Sequence, residues 1–360
     1  MPKSVVHVIP SLSGGGAEPI ALRIAEHQIS EYDVHLVTWL DASSPGNLDE
    51  HIRHHRITKS RTGLLGALQV FIGLRRVLKS TKATSTVSHL HYPNCLTVIA
   101  ALGLRAIRGQ VLVHHLADGR ERGMKLHRLI GFVYRLGHPV AVSKDVRSFL
   151  AREYGVVDAK VLANPLVLPA ERRPIRMTGG QVVKLVASGR FVAQKNYGFL
   201  LDALELLPDA YLLSVAGTGD SADFLHDVEF RGLSSRVTVL GQLPPDRLMA
   251  EFADSHAFVM SSDFEGEPVS LLEAAAVGIP VVGRPTPGLG AAVHKVGGFM
   301  ACTIDTPAEF AQAITRAVEA GRNTVEISEW RSTHDSEVAS HEYCLLLEML
   351  SPPTPISEMS

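Results

Sequence analysis

Ser262-Asp-Phe-Glu-Gly-Glu-Pro-Val-Ser-Leu-Leu-Glu-Ala-Ala-Ala-Val-Gly-Ile-Pro-Val-Val282 contains a turn, a helix and a strand in one short stretch. Gly266-Glu-Pro268 makes the turn, and the small and apolar residues of Leu271–Val277 make the helix. Gly278 stops that helix, because glycine adopts the left-handed cap without steric cost. Pro280–Val282 then reads as a short buried strand. The backbone N–H groups at the start of such a helix favour phosphate oxygens. Glu265 and Glu273 stand eight positions apart, and Glu273 falls two turns into the helix, where it can reach the same pocket. Amides that suit an anion, beside two carboxylates that accept hydroxyls, suit a sugar nucleotide.

The same alternation of short apolar runs and helical patterns extends in both directions. Strands are expected at Val5–Ile9, Val34–Thr38, Thr86–His91, Val111–His115, Val140–Ser143 and Lys160–Ala163. Helices are expected at Pro19–Ser30, Leu64–Ser80 and Asp145–Glu153. A second series begins at Val183–Ala187 and continues through Tyr211–Ala216, Val237–Leu240, Ala257–Met260 and Pro280–Val282. Alternation of this kind predicts βαβ units around a parallel sheet. Between the two series, Pro165–Gly180 breaks the rhythm with prolines, glycines and mixed charge, as a linker does.

The expected organisation is an α/β protein of two doubly wound parallel-sheet domains. Residues 1–168 form the first, 169–180 the linker and 181–328 the second. A helix over 329–350 is expected to pack back on the first domain, with 351–360 a disordered tail.

Composition narrows the function classes. The chain has 360 residues, 46% of them hydrophobic, which supports two cores. No apolar run reaches the length of a spanning helix, and Val5–Ile9 reads as a first strand, not a leader peptide. Cys95, Cys302 and Cys344 are scattered and carry no metal spacing, which fits a reducing compartment.

The net charge of −2 conceals an asymmetry. Residues 1–168 hold 21 Lys and Arg against 12 Asp and Glu, and the remainder hold 14 against 25. A basic half points to an anionic partner such as a lipid surface or a phosphate-bearing acceptor. Nucleic acid is disfavoured, since aromatic residues make up only 6% and no zinc or helix-turn-helix signature occurs. Leu64–Lys82 and Arg120–Arg135 interleave basic and apolar residues as interfacial helices do, although ordinary helices packed on a sheet look similar.

Three further stretches carry candidate chemistry. Ala187-Ser-Gly-Arg-Phe-Val-Ala-Gln-Lys-Asn196 follows the first strand of the second series and supplies two cations, Arg190 and Lys195. Ser11-Leu-Ser-Gly-Gly-Gly-Ala-Glu18 follows the very first strand, and its glycines let backbone approach a ligand closely. It lacks the G-x-G-x-x-G spacing of a dinucleotide fold. His89 and His91 end one expected strand and His114 and His115 another, at the carboxyl ends where parallel sheets bind ligands. No third ligand at useful spacing accompanies them, and no Asp-x-Asp pair occurs, so no metal and no cofactor are expected.

Together these motifs resemble the retaining glycosyltransferases of family 4, which have the GT-B fold of two Rossmann-like domains facing a central cleft. The resemblance rests on the Glu-x7-Glu segment from Glu265 to Glu273, the "GR-----KN" loop from Gly189 to Asn196, and the "GGAE" loop from Gly15 to Glu18. It implies that Glu273 holds the ribose hydroxyls and Glu265 the donor sugar near its reacting carbon. Gly266 and the amides around Val269 and Ser270 would meet the diphosphate, with Arg190, Lys195, Gly15 and Gly16. Gly241 would lie by the nucleobase. Family members have a histidine that touches donor or acceptor, for which His115 is the choice and His114 the alternative. Two departures stand out: Glu267 replaces a common aromatic residue, adding a negative charge, and Ala291 replaces a common glutamate.

The implied activity is metal-independent transfer of a hexose or N-acetylhexosamine, with retention. The donor would be a nucleotide sugar, UDP-linked by first choice, and the acceptor a saccharide or lipid-linked saccharide of bacterial cell-surface polysaccharide, lipopolysaccharide or glycolipid. The expected location is the cytoplasm, peripheral on the inner face of the membrane. A sugar-nucleotide epimerase on the same scaffold and a non-catalytic sugar-nucleotide-binding subunit are the alternatives.

Overall fold

The computed structural model describes residues 3–12, 16–40, 48–58, 63–115, 127–168, 182–321, 323 and 328–350. The chain divides into two compact units, Met1–Pro165 with Ser336–Ser360, and Leu166–Asp335.

In the first unit the order is β1 (Lys3–Val8), α1 (Ala17–His27), β2 (Tyr32–Thr38), β3 (Arg53–Arg56), α2 (Gly63–Ser80), β4 (Ser85–His89), α3 (His91–Ala101), β5 (Gly109–His114), α4 (His127–Tyr134), β6 (His138–Ala141), α5 (Lys144–Tyr154) and β7 (Lys160–Val161). The seven strands lie in the order β3-β2-β1-β4-β5-β6-β7, and every pairing is parallel. Val5 pairs with Val34 on one side and Ser85 on the other. Helices cover both faces of such a sheet, so its central strands are buried throughout, and β4 is buried at all five positions.

The second unit continues with β8 (Val183–Ser188), α6 (Tyr197–Glu205), β9 (Tyr211–Ala216), α7 (Ala222–Phe230), β10 (Val237–Gly241), α8 (Pro245–Ala253), β11 (Ala257–Met260), α9 (Val269–Val277), β12 (Val281–Gly283), α10 (Leu289–Lys295), β13 (Phe299–Met300), α11 (Pro307–Ala320) and α12 (Ser328–His334). Its six strands are again parallel, in the order β10-β9-β8-β11-β12-β13. Leu185, Leu213 and Val259 from the sheet pack with Phe199, Phe310 and Ile314 from α6 and α11. The last helix, α13 (Ser336–Leu350), belongs to the first unit and packs on α1. The glycine-stopped helices follow the sequence: Gly155, Gly278 and Gly321 all cap in the left-handed region.

Several local expectations are corrected. The strand expected over Thr86–His91 ends at His89, and His91 starts α3. His89 and His91 therefore do not share a strand face. Leu90, at φ 75° and ψ 161°, turns the chain between them, and Pro93 fits the first helical turn, where its missing N–H costs nothing. Residues 329–350 are not one helix: α12 and α13 meet at Asp335, where the chain passes from the second unit to the first. The expected linker 169–180 and the tail 351–360 lie outside the described residues. No described helix is long and apolar enough to cross a membrane.

Candidate functional site

The second sheet reverses its winding between β8 and β11, since β9 and β10 lie to one side and β12 and β13 to the other. Open α/β sheets bind ligands at such a switch point, outside the carboxyl ends of the strands. Three loops emerge there: Gly189–Asn196 after β8, Ser261–Pro268 after β11 and Arg284–Gly288 after β12.

Lys195 and Glu265, seventy residues apart in sequence, meet at this point, with Nζ donating to Oε1 over 2.7 Å. Both side chains are largely withdrawn from solvent, 15% and 9% exposed. The two loops are stitched along their length. Ser261 Oγ donates to the Lys195 carbonyl at 2.8 Å, Asp263 N to the Gln194 carbonyl at 2.9 Å, and Gln194 Nε2 to the Phe264 carbonyl at 2.9 Å. Asn196 adopts the left-handed region that asparagine tolerates, caps α6 through Oδ1, and donates Nδ2 to Asp263 at 2.7 Å. Tyr197 lies under this loop, its hydroxyl on the Gly189 carbonyl at 3.2 Å. Burial first, and then the charge of Glu265, push its phenol well above the usual range.

Asp263, Glu265 and Glu267 alternate along the β11 loop, and each meets a cation from a different segment. Arg284 Nη1 donates to Asp263 at 2.8 Å, Lys195 to Glu265, and Lys295 Nζ to Glu267 at 2.8 Å. Arg284 is 2% exposed. It also donates to the carbonyls of Ser261 at 2.7 Å and Ile304 at 2.8 Å, and stacks over the Phe199 ring. A buried guanidinium persists only when paired in this way. Glu265 N donates to the Pro287 carbonyl at 2.8 Å. Gly288 follows in the left-handed region, its backbone pressed against the Glu265 carbonyl.

Beyond the loop, α9 opens at Val269 after Pro268, with no side-chain cap. The Leu271 and Leu272 amides bond the Pro268 carbonyl. Those of Val269 and Ser270 come earlier in the turn, where the helix provides no carbonyl partner. Gly266 is buried and Glu273 half-buried on α9. Gly241 ends β10 at φ 67° with open space beside its α-carbon. Arg190 is exposed, and among the described residues no carboxylate lies within ion-pair distance of it. The added charge of Glu267 is taken up inside the unit: its side chain is 2% exposed, on Lys295 and His334. Ala291 is exposed on α10.

The remaining candidates belong to the first unit. Gly15 lies outside the described residues; Gly16 is the exposed N-cap of α1, with open space around it. His115 follows β5, 9% exposed, and its Nε2 meets His89 Nδ1 at 3.2 Å. His114 is buried on the other side, with Nδ1 on the Tyr134 hydroxyl at 3.0 Å and its ring stacked on Phe149. His7 stacks on His89 and bonds Gln28 at 2.8 Å. Burial lowers the pKa of His7 to about 4, and burial, with His115 and His7 nearby, takes that of His89 well below the ordinary value. No group of three or more metal-ligating side chains converges among the described residues.

Sequence reading missed Arg284, Lys295 and His334 as parts of this network. For Arg284 a signal existed: a charged residue directly follows the apolar run Ile279–Gly283, which forces it into the sheet's buried edge. Lys295 and His334 carry no local signal, because their partner is 28 and 67 residues away.

Residues 183–320 match the family model described as glycosyl transferases group 1. Over 105 residues the chain is 35% identical to the lipopolysaccharide core biosynthesis glycosyltransferase LpsE of Rhizobium meliloti. That match covers 29% of this chain and 30% of the relative, and two further curated relatives are likewise matched over about a third of their length. A longer match, 22% identical over 74% of this chain and 75% of the other, is to a Campylobacter jejuni enzyme. Its name is GalNAc-alpha-(1->4)-GalNAc-alpha-(1->3)-diNAcBac-PP-undecaprenol alpha-1,4-N-acetyl-D-galactosaminyltransferase. Among solved structures, Anabaena HepE in complex with UDP and glucose superposes with a TM-score of 0.76 at 18% identity, covering 96% of this chain and all of that one. The fold is GT-B, and residues 183–320 of the second unit match the model of the glycosyl transferases of group 1.

Proposed function

We propose that the protein is a retaining glycosyltransferase that moves a hexose or N-acetylhexosamine from a nucleoside-diphosphate sugar, with UDP as the first choice of nucleotide, to an acceptor hydroxyl. The observation that carries this reading is the Lys195–Glu265 pair, 2.7 Å apart at the switch point, beside the first-turn amides of α9. A diphosphate placed on those amides gains the helix N-terminus and the Lys195 ammonium together. As the bond from the sugar carbon to the diphosphate oxygen breaks, negative charge grows on the leaving group, and the preplaced cation stabilises it most at that moment. The acceptor oxygen forms its bond on the same face, and its proton passes to the leaving diphosphate. Glu265, oriented by Lys195 and by its own amide on Pro287, accepts donor-sugar hydroxyls, and Glu273 accepts those of the ribose. Arg190, exposed on the same loop as Lys195, would join the diphosphate when donor binds. No metal is required in this scheme.

The relatives named for lipopolysaccharide core synthesis and for an undecaprenol-linked acceptor support a cell-surface saccharide or lipid-linked saccharide as acceptor. Contact with an anionic membrane on the cytoplasmic side fits that role. On α2, Leu64, Leu65, Leu68 and Ile72 are exposed and continue into Arg76 and Lys79, and on α4 Leu129 and Phe132 are exposed. Residues 120–126 of the second basic stretch lie outside the described residues. Flotation with phosphatidylglycerol vesicles, against phosphatidylcholine alone, measures this contact.

A thermal-shift screen of nucleotide sugars identifies the donor, since a ligand of the folded state raises the melting temperature by mass action. Transfer from that donor to a lipid-linked oligosaccharide pool, with the anomeric configuration read by NMR, tests the reaction. Full transfer activity in Glu265→Gln with unchanged donor affinity would refute the role given to Glu265.

A further inference from the structure

Glu267 is the deepest of the three loop carboxylates. Its Oε1 accepts from Lys295 Nζ on α10 at 2.8 Å and faces His334 Nε2 on α12 at 3.0 Å. Burial alone would raise its pKa; the His334 contact and the Lys295 charge outweigh burial and hold it below the ordinary value. The other ring nitrogen of His334 faces the Trp330 carbonyl at 2.8 Å. A carbonyl can only accept, so Nδ1 carries a hydrogen, and Nε2 is the atom turned to the carboxylate. Lys295 Nζ also lies 3.5 Å from His334 Nε2, so the carboxylate, the ammonium and the imidazole form one buried cluster.

The helix that carries His334 is tied to α9 at both ends. Arg331 Nη1 donates to the Ala276 carbonyl at 2.7 Å, in the last turn of α9, where a cation is favoured by the helix dipole. His334 acts at the opposite end, through Glu267, which directly precedes the Pro268 cap. The His334 carbonyl accepts from Leu166 N at 2.8 Å, and Leu166 bridges Asp335. So α12 splints α9 and also joins the residues at which the chain enters and leaves the second unit.

We infer that Glu267 is a positioning residue: through Lys295 and His334 it fixes the Gly266–Ser270 turn in the orientation that presents its amides to a nucleoside diphosphate. The functional half of this inference rests on the donor-site reading above. A free carboxylate two residues from Glu265 would repel a bound diphosphate. Paired with the Lys295 ammonium and bonded to His334 it does not, and the directional contacts hold the turn in one orientation, where an apolar contact would let it rock. Preorganised donors bind more tightly because less ordering remains to be done.

Glu267→Gln keeps the shape and removes the charge. Hydrogen exchange followed by mass spectrometry reads the turn directly, through the bonded amides of Glu265, Leu271 and Leu272. The expected result is about tenfold faster exchange in the peptide covering 264–272, with β8 and β9 unchanged. UDP titrated by calorimetry is expected to bind about tenfold more weakly, with acceptor KM and kcat at saturating donor little changed. A merely structural role would not confine the loss to donor affinity. If the single variant fails to fold, the charge-balanced pair Glu267→Gln with Lys295→Gln is read in the same way. Unchanged exchange in the turn overturns the positioning role whether or not the wild type binds UDP. Faster exchange in a protein whose wild type binds no UDP upholds the positioning role and overturns the donor assignment instead.

Discussion

Replacing Gly288 with alanine tests the geometry of the site at one atom. Gly288 has φ 75°, in the region that L-residues other than asparagine and aspartate avoid, and a Cβ there would lie 1.8 Å from the Glu265 carbonyl oxygen and 2.6 Å from its carbon. Cβ contacts under 3.0 Å are essentially never seen, so one backbone must retreat by about 1.2 Å. The left-handed conformation alone costs about 1–2 kcal/mol, and the displacement brings the total to about 3 kcal/mol. For a cooperative unit of this size, that lowers the melting temperature by about 6–12 °C. The retreat also opens the Glu265 N to Pro287 carbonyl bond, which moves Glu265 off Lys195. A misplacement of this size costs roughly a hundredfold in kcat. Gly232→Ala is the control: at φ 69° it also has a positive φ, with nothing within 4 Å of the added methyl, so it loses about 1–2 kcal/mol and no activity. Differential scanning calorimetry and initial-rate transfer assays on both variants decide the matter. Gly288→Ala with wild-type turnover, or a loss of stability no larger than that of Gly232→Ala, refutes the close contact and the role built on it.

Three other perturbations probe the same contacts and the first unit. Lys195→Met leaves the buried Glu265 carboxylate unpaired and is expected to destabilise by about 3 kcal/mol; adding Glu265→Gln restores most of the denaturant midpoint but none of the transfer activity. Arg284→Met strands two carbonyls and Asp263, and is expected to cost about 3–5 kcal/mol in urea unfolding, with Arg284→Lys intermediate because it keeps the charge and loses the fork. Acid should weaken the first unit: burial lowers the pKa of folded His7 to about 4, against about 6.5 for an unperturbed imidazole. Between those values the unfolded chain binds more protons, so His7's contribution is full above about pH 6.5 and lost as pH falls towards 4, about 3 kcal/mol in all. Equal urea midpoints for the first unit at pH 7.5 and 4.5 would contradict it.

The parallel sheets were legible because buried strands must be apolar on both faces: β1, β2, β5, β8 and β9 all announce themselves as runs of Val and Leu. What stayed hidden lacked that signal. β3 is Arg-His-His-Arg, an edge strand that needs only one neighbour, with Ile52 and Ile57 supplying the burial on either side. α3 reads Cys95-Leu-Thr-Val-Ile-Ala-Ala101, apolar all round and hence without a helical stripe. Its start at His91 depends on Leu90 taking a backbone conformation that no propensity would assign to leucine. In the site, Lys195 and Glu265 could be named from sequence because each sits in a short motif after a strand, although they lie seventy residues apart. The side chains that hold those motifs in place could not, because Arg284, Lys295 and His334 become neighbours of the β11 loop only once β12, α10 and α12 have packed.

On the proposed donor-site reading, the same network explains how an anion could be accepted beside so many carboxylates. Asp263, Glu265 and Glu267 would give an extended loop three negative charges at alternate positions, facing the proposed diphosphate with its own. Each is instead matched by Arg284, Lys195 or Lys295, at 2.8, 2.7 and 2.8 Å. The outer two pairs anchor the loop to β12 and α10. The middle pair is different in kind, because the Lys195 ammonium has three donors and Glu265 takes one in the direction the structure shows. Its remaining donors can turn to a phosphate without breaking that bond, so under the proposed function Glu265 would aim the lysine and the lysine would aim Glu265 at the sugar. Removing the acid therefore does more than spare a repulsion: it frees the cation to swing. On this argument Glu265→Ala should weaken UDP binding even though it deletes a negative charge beside the diphosphate. Tighter UDP binding by Glu265→Ala in calorimetry would show that simple repulsion governs the site and that the pair does not aim its own cation.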